Sequence, residues 1–171
     1  MSLVPRPKIL DITPIRSSDL MGLMSAGDGD GMSISIDGNP LIVLIPQLVF
    51  NQVLAIDKIC EAHVPDECMS NLRLLNDQVG QVIKSACASA KVKVHGIMSD
   101  NNTIYFTLPR YALAINKDGS IMSRQNMNNK VTAGRFAAKA LFNLSKVSYV
   151  RRKDGTGYWL WHASMLQFLE L

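Results

Sequence analysis

The chain has 171 residues and a net charge of +4, with 47% hydrophobic and 19% charged residues. This composition is typical of one globular domain and excludes a chain that is disordered throughout. The longest apolar run, residues 40–50, is too short to cross a bilayer. Three cysteines, an odd number, give no disulfide framework. We therefore expect a soluble cytoplasmic protein without signal peptide or membrane contact, and a place in a virus particle is also open.

Charge is distributed unevenly along the chain. Residues 1–90 hold six Lys and Arg against ten Asp and Glu, which gives −4, whereas residues 91–171 hold twelve against four, which gives +8. A strongly basic half is typical of proteins that bind nucleic acid or another anionic surface. The same polarity would let the acidic half of one molecule contact the basic half of another, so it also fits a homo-oligomer.

The first predicted elements are strands. Residues 8–15 are predicted to be extended, and the glycine-rich residues 25–31 to form an acidic loop. Residues 32–45 predict two strands around the turn Asp37-Gly38-Asn39-Pro40, because Asp-Gly is a strong hairpin signal. The second arm is apolar at every position, which is typical of a central strand covered on both faces.

Two long helices are predicted next. Apolar residues recur at spacings of four and three between residues 49 and 63, which predicts a first helix ending before Pro65. A second helix begins after Pro65, with Asp66 in its first turn, where a negative charge is favourable. The apolar stripe of this helix runs from residue 69 to residue 90.

The remaining elements are hairpins, a linker and one more helix. Alternating residues predict hairpins around residues 99–102 and 117–119. Residues 123–130 are polar and without periodicity, which indicates a linker. Thr132 can cap a helix that runs to about Leu144, and a hairpin with its turn at Asp154-Gly155 follows.

These elements predict an α+β fold, in which an antiparallel sheet built from hairpins packs against two long helices and a helix–hairpin unit follows. The expected divisions are an α+β core over residues 1–122, a linker over residues 123–130 and a basic helix–hairpin unit over residues 131–171. A helix followed by a basic-tipped hairpin resembles the second half of a winged helix, in which the hairpin is the wing. The resemblance covers residues 131–163.

The predicted last helix carries a basic stripe. At 100° per residue, Arg135, Lys139 and Lys146 fall within an arc of roughly 80°. A basic stripe on a short helix suits contact with phosphates. The alternative interpretation is an ordinary solvated helix face.

The hairpin adds a second basic group. A two-residue turn would pair Arg151 with Tyr158 on one face, and Arg152 and Lys153 would project from the tip. Arginine and tyrosine side by side on an exposed sheet face can bind phosphate and stack on bases. The alternative is that the tip is only the solvated end of a core hairpin.

Other motifs give little support for catalysis or metal binding. Cys60, His63 and Cys68 have zinc-binding side chains, but two of them lie on the apolar stripe of the predicted helix, so buried structural cysteines are the favoured interpretation. The sequence Gly27 to Gly31 lacks the pattern of a calcium loop or a phosphate loop. No nucleophile stands in a recognisable context. We expect no catalytic residues, metal, cofactor or small-molecule substrate.

The sequence therefore predicts a non-enzymatic protein that binds DNA or RNA through its basic C-terminal helix–hairpin unit. The predicted contacts are Arg135, Lys139, Lys146, Arg151, Arg152, Lys153 and Tyr158. The alternative is a self-associating structural or assembly protein, for example of a phage or virus particle, that also contacts the genome.

Overall fold

The computed structural model describes residues 8–27, 31–51, 54–87, 93–99, 101–132 and 136–171. Strands make up 46% of the structure and helices 21%, so the protein is mostly β. Within the described ranges the helices are α1 (Asp66–Ala86), α2 (Arg124–Thr132) and a short 3₁₀ helix (Ser17–Leu20). None of them is long and apolar enough to span a bilayer. The strands are β1 (Ile9–Asp11), β2 (Leu23–Ala26), β3 (Gly31–Ile36), β4 (Asn39–Pro40), β5 (Ile42–Phe50), β6 (Ile59–His63), β7 (Val94–His95), β8 (Thr103–Thr107), β9 (Leu113–Ile115), β10 (Phe136–Asn143), β11 (Lys146–Arg151), β12 (Gly157–Trp161) and β13 (Ser164–Glu170).

Five strands close into a barrel. β5 pairs with β10, β10 with β13, β13 with β8 and β8 with β6, and the pairing of Val49 with His63 joins β6 back to β5. β1 pairs with β5, and β9 pairs with β13. A closed barrel of five strands is the architecture of an OB-like fold.

Aromatic side chains fill the barrel. Phe50, Phe106, Phe142 and Phe168 are each at most 2% exposed. The Phe50 ring centroid lies 6.0 Å from those of Phe106 and Phe168, and the Phe106 and Phe142 centroids are 5.4 Å apart. Such aromatic pairs contribute about 0.5–1.5 kcal/mol each beyond their burial. The cluster therefore ties strands from both halves of the sequence into one core.

A second sheet extends from the barrel. Its strand order is β2–β3–β11–β12–β7, with β4 paired to β3. β11 and β12 form a hairpin that the chain makes between the barrel strands β10 and β13. The indole Nε1 of Trp161 donates a 2.6 Å hydrogen bond to the carbonyl of Leu144 in the interior. This bond anchors the base of the hairpin, while its tip extends into solvent.

The predicted α+β fold is wrong, beginning with its first long helix. The chain is extended through Phe50 and again from Ile59, so the spacing of apolar residues between them was accidental. In β6, Cys60 is buried while His63 is exposed, as a period of two requires for residues three apart. The apolar residues at the ends of these two strands have the spacings of four and three that are typical of one helical stripe.

The last helix and its winged-helix likeness are also wrong. Residues 136–143 form β10, which pairs with β5 on one side and β13 on the other. Phe136, Ala138, Ala140 and Phe142 are buried in alternation. Alanine has the highest helix propensity, but propensity is a weak preference, and pairing on both edges of the strand outweighs it. The basic stripe that depended on helical geometry therefore does not form.

Two local predictions are confirmed, a turn and a helix. Asp37 and Gly38 have φ values of 49° and 80°, as a two-residue hairpin turn of the mirror-image type needs. The predicted second arm does not stay with β3, because the chain leaves it after Pro40 and β5 pairs with β1 and β10. The second predicted helix is α1, whose buried residues include Leu72, Leu75 and Val79. Both features depend on residues close together in the sequence.

The segment predicted as a linker contains most of α2, which begins at Arg124. Beyond it, the chain returns to the barrel that it left, because β10 pairs with β5 and β13 pairs with β8. That residues 1–122 form a separate folding unit stays a prediction, and these pairings provide a way to test it.

Candidate nucleic-acid interface

A groove of about 220 Å³ separates the barrel from the hairpin. On the barrel side, β6 and β8 pair Ile59 with Thr107 and Glu61 with Tyr105. Alternation turns Cys60 and Phe106 into the core and leaves Ile59 and Tyr105 outside, 77% and 41% exposed. The barrel wall of the groove therefore combines an exposed aliphatic side chain with an exposed aromatic ring.

The hairpin wall depends on the turn at its tip. The amide of Arg152 donates to the carbonyl of Thr156, and that of Gly155 donates to the carbonyl of Arg152. Gly155 has a φ of 86°, which fits a three-residue loop, Lys153 to Gly155, whose last residue is left-handed. Hydrogen bonds from Thr156 to the Asp154 carboxylate brace the loop and lower the pKa of that carboxyl.

The longer loop corrects the predicted register by one residue. Arg151 pairs with Gly157, and Val150 with Tyr158. Arg151 consequently shares a face with Trp159, whereas Tyr158 points to the other face, because a one-residue shift exchanges faces. The predicted pairing of Arg151 with Tyr158 is wrong.

The face that carries Tyr158 forms a polar and aromatic strip beside the groove. The Arg152 guanidinium carbon lies 5.0 Å from the centroid of the Tyr158 ring. The rings of His95 and Tyr158 meet edge-on with centroids 4.4 Å apart. Leu160 pairs with His95 and lines the groove next to His162. We call these five residues, Arg152, Tyr158, His95, Leu160 and His162, the hairpin strip.

His162 is fixed in orientation within the strip. Its Nε2 atom lies 2.6 Å from the hydroxyl of Ser148, and its amide donates to the carbonyl of Lys146. Burial, followed by the charge of Lys146, lowers the pKa of His162. At neutral pH the groove therefore contains an uncharged imidazole, and the positive charges of the hairpin lie at its two ends.

The predicted site residues do not all come together. Arg151, Arg152 and Lys153 lie at the exposed hairpin tip, Tyr158 lies on the strip, and Lys146 lies exposed at the start of β11. Lys139 lies on the outer face of β10, which β13 and β5 separate from the groove strands β8 and β6. Arg135 lies outside the described residues.

Sequence reasoning missed four residues at the barrel side of the groove. Ile59 and Tyr105 form its wall, and exposed Lys58 and Arg110 lie next to its Ile59–Thr107 end. The Arg110 Nε atom is 3.2 Å from Asp57 Oδ2. Tyr105 had a usable signal, because it alternates with buried Ile104 and Phe106. The exposure of Ile59 could not be predicted, because its segment was assigned to a helix.

The zinc-type residues do not form a cluster. Cys60 points into the barrel and His63 points out of it, while Cys68 is buried at the start of α1. Burial raises the pKa of both thiols, which disfavours the thiolate that a metal needs. Across the described residues no three His, Cys, Asp or Glu side chains are grouped for a metal ion.

Comparison with known proteins gives a structural match and no sequence match. No protein-family model matches the chain, and the curated proteins give no significant match. The fold is similar to that of the single-stranded DNA-binding protein from bacteriophage Enc34, with a TM-score of 0.53 and 11% identity over 86% of this chain and 88% of that chain. The same phage protein in complex with single-stranded DNA gives a TM-score of 0.52 and 10% identity over 88% and 96% of the two chains. At such identity the likeness shows the fold alone.

Proposed function

We propose that this protein is a non-enzymatic single-stranded DNA-binding protein. The strand passes through the groove between the β6–β8 face and the hairpin. One observation carries the proposal: the apolar groove continues into the hairpin strip. Tyr105 lies on the wall of the groove, and Arg152 lies over Tyr158 on the strip. The similarity to a phage protein described as binding single-stranded DNA supports the same function.

The chemistry of the groove favours single strands over duplexes. Bases in a duplex are stacked and hidden, whereas those of a single strand expose flat apolar faces. Tyr105 and Ile59 offer surfaces on which such faces can pack, and stacking contributes about 1–3 kcal/mol per base. In OB folds, this barrel face and its adjoining loops are where oligonucleotides bind.

The charges near the groove fit the backbone of the same strand. Arg152 and Lys153 lie at the hairpin tip, and Lys58 and Arg110 lie on the barrel side. A strand that crosses the groove can contact cations at both sides while its bases face Tyr105. Each phosphate so neutralised releases counterions, which makes binding weaken steeply with salt.

Fluorescence anisotropy with a labelled single strand of about 15 nucleotides tests the proposal, since OB folds cover about 4–16 nucleotides. The wild type should bind the single strand more tightly than a duplex of the same sequence. Replacing Arg151, Arg152 and Lys153 together with Ala should flatten the log–log salt slope by about two to three units. The matched control is Lys139→Ala, on the opposite side of the barrel, which should change neither quantity.

Equal binding of duplex and single strand, or a salt slope that the triple variant leaves unchanged, would reject this groove as the site. An RNA strand of the same sequence separates the two sugars. We expect DNA to bind more tightly, and tighter binding to RNA would identify RNA as the ligand instead.

A further inference from the structure

A small apolar pocket of about 110 Å³ lies beside one end of the groove. At that end β6 and β8 pair Ile59 with Thr107, and both residues line the groove. Further along the same two chain segments, Ile56 and Leu108 line the pocket. The Asp57 amide donates a 3.0 Å hydrogen bond to the carbonyl of Leu108, so the pairing that begins in the groove continues to the pocket. The two cavities are therefore adjacent.

The pocket has a buried apolar floor and an exposed basic rim. Its floor residues are at most 4% exposed and include Leu108, Met127 and Phe168. Its rim residues are exposed and include Arg110, Ile121 and Arg124. We call these six residues the end pocket. Ile121 and Leu113 both line the cavity and are 74% and 38% exposed, and apolar surface that continues into a cavity is typical of a binding site.

Contacts within the protein hold the two arginines at the rim. The Arg124 Nη2 atom donates a 3.2 Å hydrogen bond to the carbonyl of Arg110, which ties the first residue of α2 to the loop after β8. The Arg110 Nε atom lies 3.2 Å from Asp57 Oδ2. A guanidinium has five N–H donors, so each arginine can bind an anion while it keeps these contacts. Exposed Lys58 follows Asp57 and adds a third cation, and the mouth of the end pocket is therefore positively charged.

We propose that the end pocket binds one nucleotide of the single strand beyond the groove. The base enters the apolar cavity and its phosphate contacts Arg110 and Arg124. This proposal rests on the proposed function and extends the bound length of the strand. Along β8, Leu108 lies three residues from Tyr105, which is about 10 Å, so a strand that stacks on Tyr105 reaches the pocket within a few nucleotides.

The size and chemistry of the end pocket select a nucleotide. Sites for drug-sized ligands measure about 300–1,000 Å³, so a cavity of about 110 Å³ accepts one flat group and not a whole ligand. A nucleotide joins an apolar base to an anionic phosphate, which the floor and the rim match in turn. Met127 on the floor has a flexible side chain with a polarizable sulfur, which suits contact with aromatic rings of different shapes. We therefore expect the pocket to accept more than one kind of base.

Anisotropy titrations with oligothymidines of about 4 to 16 nucleotides test the end pocket in the full chain. Ile121→Glu places a carboxylate at the rim, where it repels a phosphate and disfavours an apolar base. This variant should bind short strands like the wild type and long strands about five- to 150-fold more weakly, which is the contribution of one stacked base. The matched control is Met21→Glu, the same change of charge at a residue that is 85% exposed and lines neither cavity.

The phosphate contact has its own variant. Arg124→Ala should flatten the log–log salt slope by about one unit for long strands and leave the slope for short strands unchanged. Arg73→Ala, at an exposed position of α1, is the matched control and should change neither slope. Circular dichroism and thermal melts show whether each variant is folded. Both substituted rim residues are exposed, so we expect the fold to be retained.

The dependence on length separates the end pocket from the groove. Affinities of Ile121→Glu that equal those of the wild type at every length would overturn the proposal and leave the pocket to another partner, such as an acidic peptide. A loss by the same factor at every length would also overturn it, because the substitution would then act on the groove. Failure of the groove is seen differently, as Tyr105→Ala leaving the binding of short strands unchanged. A wild type that binds no strand of any length would reject both sites.

Discussion

The guanidinium of Arg152 lies over the ring of Tyr158, with 5.0 Å between the guanidinium carbon and the ring centroid. The contact spans the hairpin from the turn to the first pairs of β12. It holds a positive charge and an aromatic ring on the same face, next to His95. A nucleotide needs that combination from its binding protein, because the phosphate requires charge and the base requires a flat surface.

The two adjacent tip arginines should contribute unequally to binding. Arg152 lies on the groove side, whereas Arg151 shares the opposite face with Trp159. We expect Arg152→Ala to flatten the log–log salt slope of single-strand binding by about one unit and Arg151→Ala to flatten it by less. Anisotropy titrations at four or more salt concentrations measure both slopes. Equal slopes for the two variants would show that the face of the hairpin on which an arginine lies does not determine its contact with the strand.

Two glycine substitutions should change stability in opposite directions. Gly155 has a φ of 86° at the hairpin turn, whereas Gly80 lies inside α1, and an added Cβ meets nothing within 4 Å at either position. We expect Gly155→Ala to destabilise the fold by about 1–2 kcal/mol because of its left-handed backbone. Gly80→Ala should stabilise it by about 0.5–1 kcal/mol by favouring helix. Urea denaturation gives both values, and a stabilising Gly155→Ala would contradict the three-residue loop.

Stability should fall in mild acid through His162. Burial and Lys146 lower the pKa of His162 in the folded state, so below about pH 6.5 the unfolded chain binds the proton more readily than the folded one. The stabilising contribution is complete above that pH and is lost as the pH falls through the lowered pKa. Melting temperatures between neutral and mildly acidic pH should therefore decrease more for the wild type than for His162→Gln. Parallel curves would place the acid sensitivity at another group.

Truncation tests whether the chain divides at residues 123–130. The sequence predicts that residues 1–122 fold alone, but two of the five barrel strands, β10 and β13, follow that point. Removing them exposes the edges of β5 and β8 and opens the aromatic core around Phe50. We expect the truncated chain to lose its cooperative thermal melt. A sharp melt close to that of the full chain would instead support a separate N-terminal unit.

What could be predicted from the sequence was local. The Asp37-Gly38 turn and α1 follow from neighbouring residues, and the C-terminal hairpin was placed correctly except for its register. Register depended on whether the turn has two or three residues, and Asp154-Gly155 allows both. The barrel depends instead on pairings between residues far apart, such as Phe136 with Phe50. No short window of sequence contains that information.

The same difference between local and distant residues explains why only part of the site was predicted. The basic tip is contiguous in sequence, so composition and turn chemistry were enough to select it. Tyr105 and His162 line one groove although they are far apart along the chain. Lys139 was grouped with the hairpin only because residues 131–144 were predicted as a helix, and in β10 it lies on the outer side of the barrel.

Ultraviolet crosslinking of a bound single-stranded oligothymidine, followed by mass spectrometry, tests the groove most directly. The chain has four tyrosines, and three of them make a matched set. Tyr105 lines the groove and Tyr158 lies on the hairpin strip, whereas Tyr149 faces the other side of the hairpin with Trp159. We predict adducts on Tyr105 and Tyr158, and none on Tyr149. Adducts on Tyr149 or on the outer side of β10, with Tyr105 and Tyr158 unmodified, would place the bound strand outside the groove.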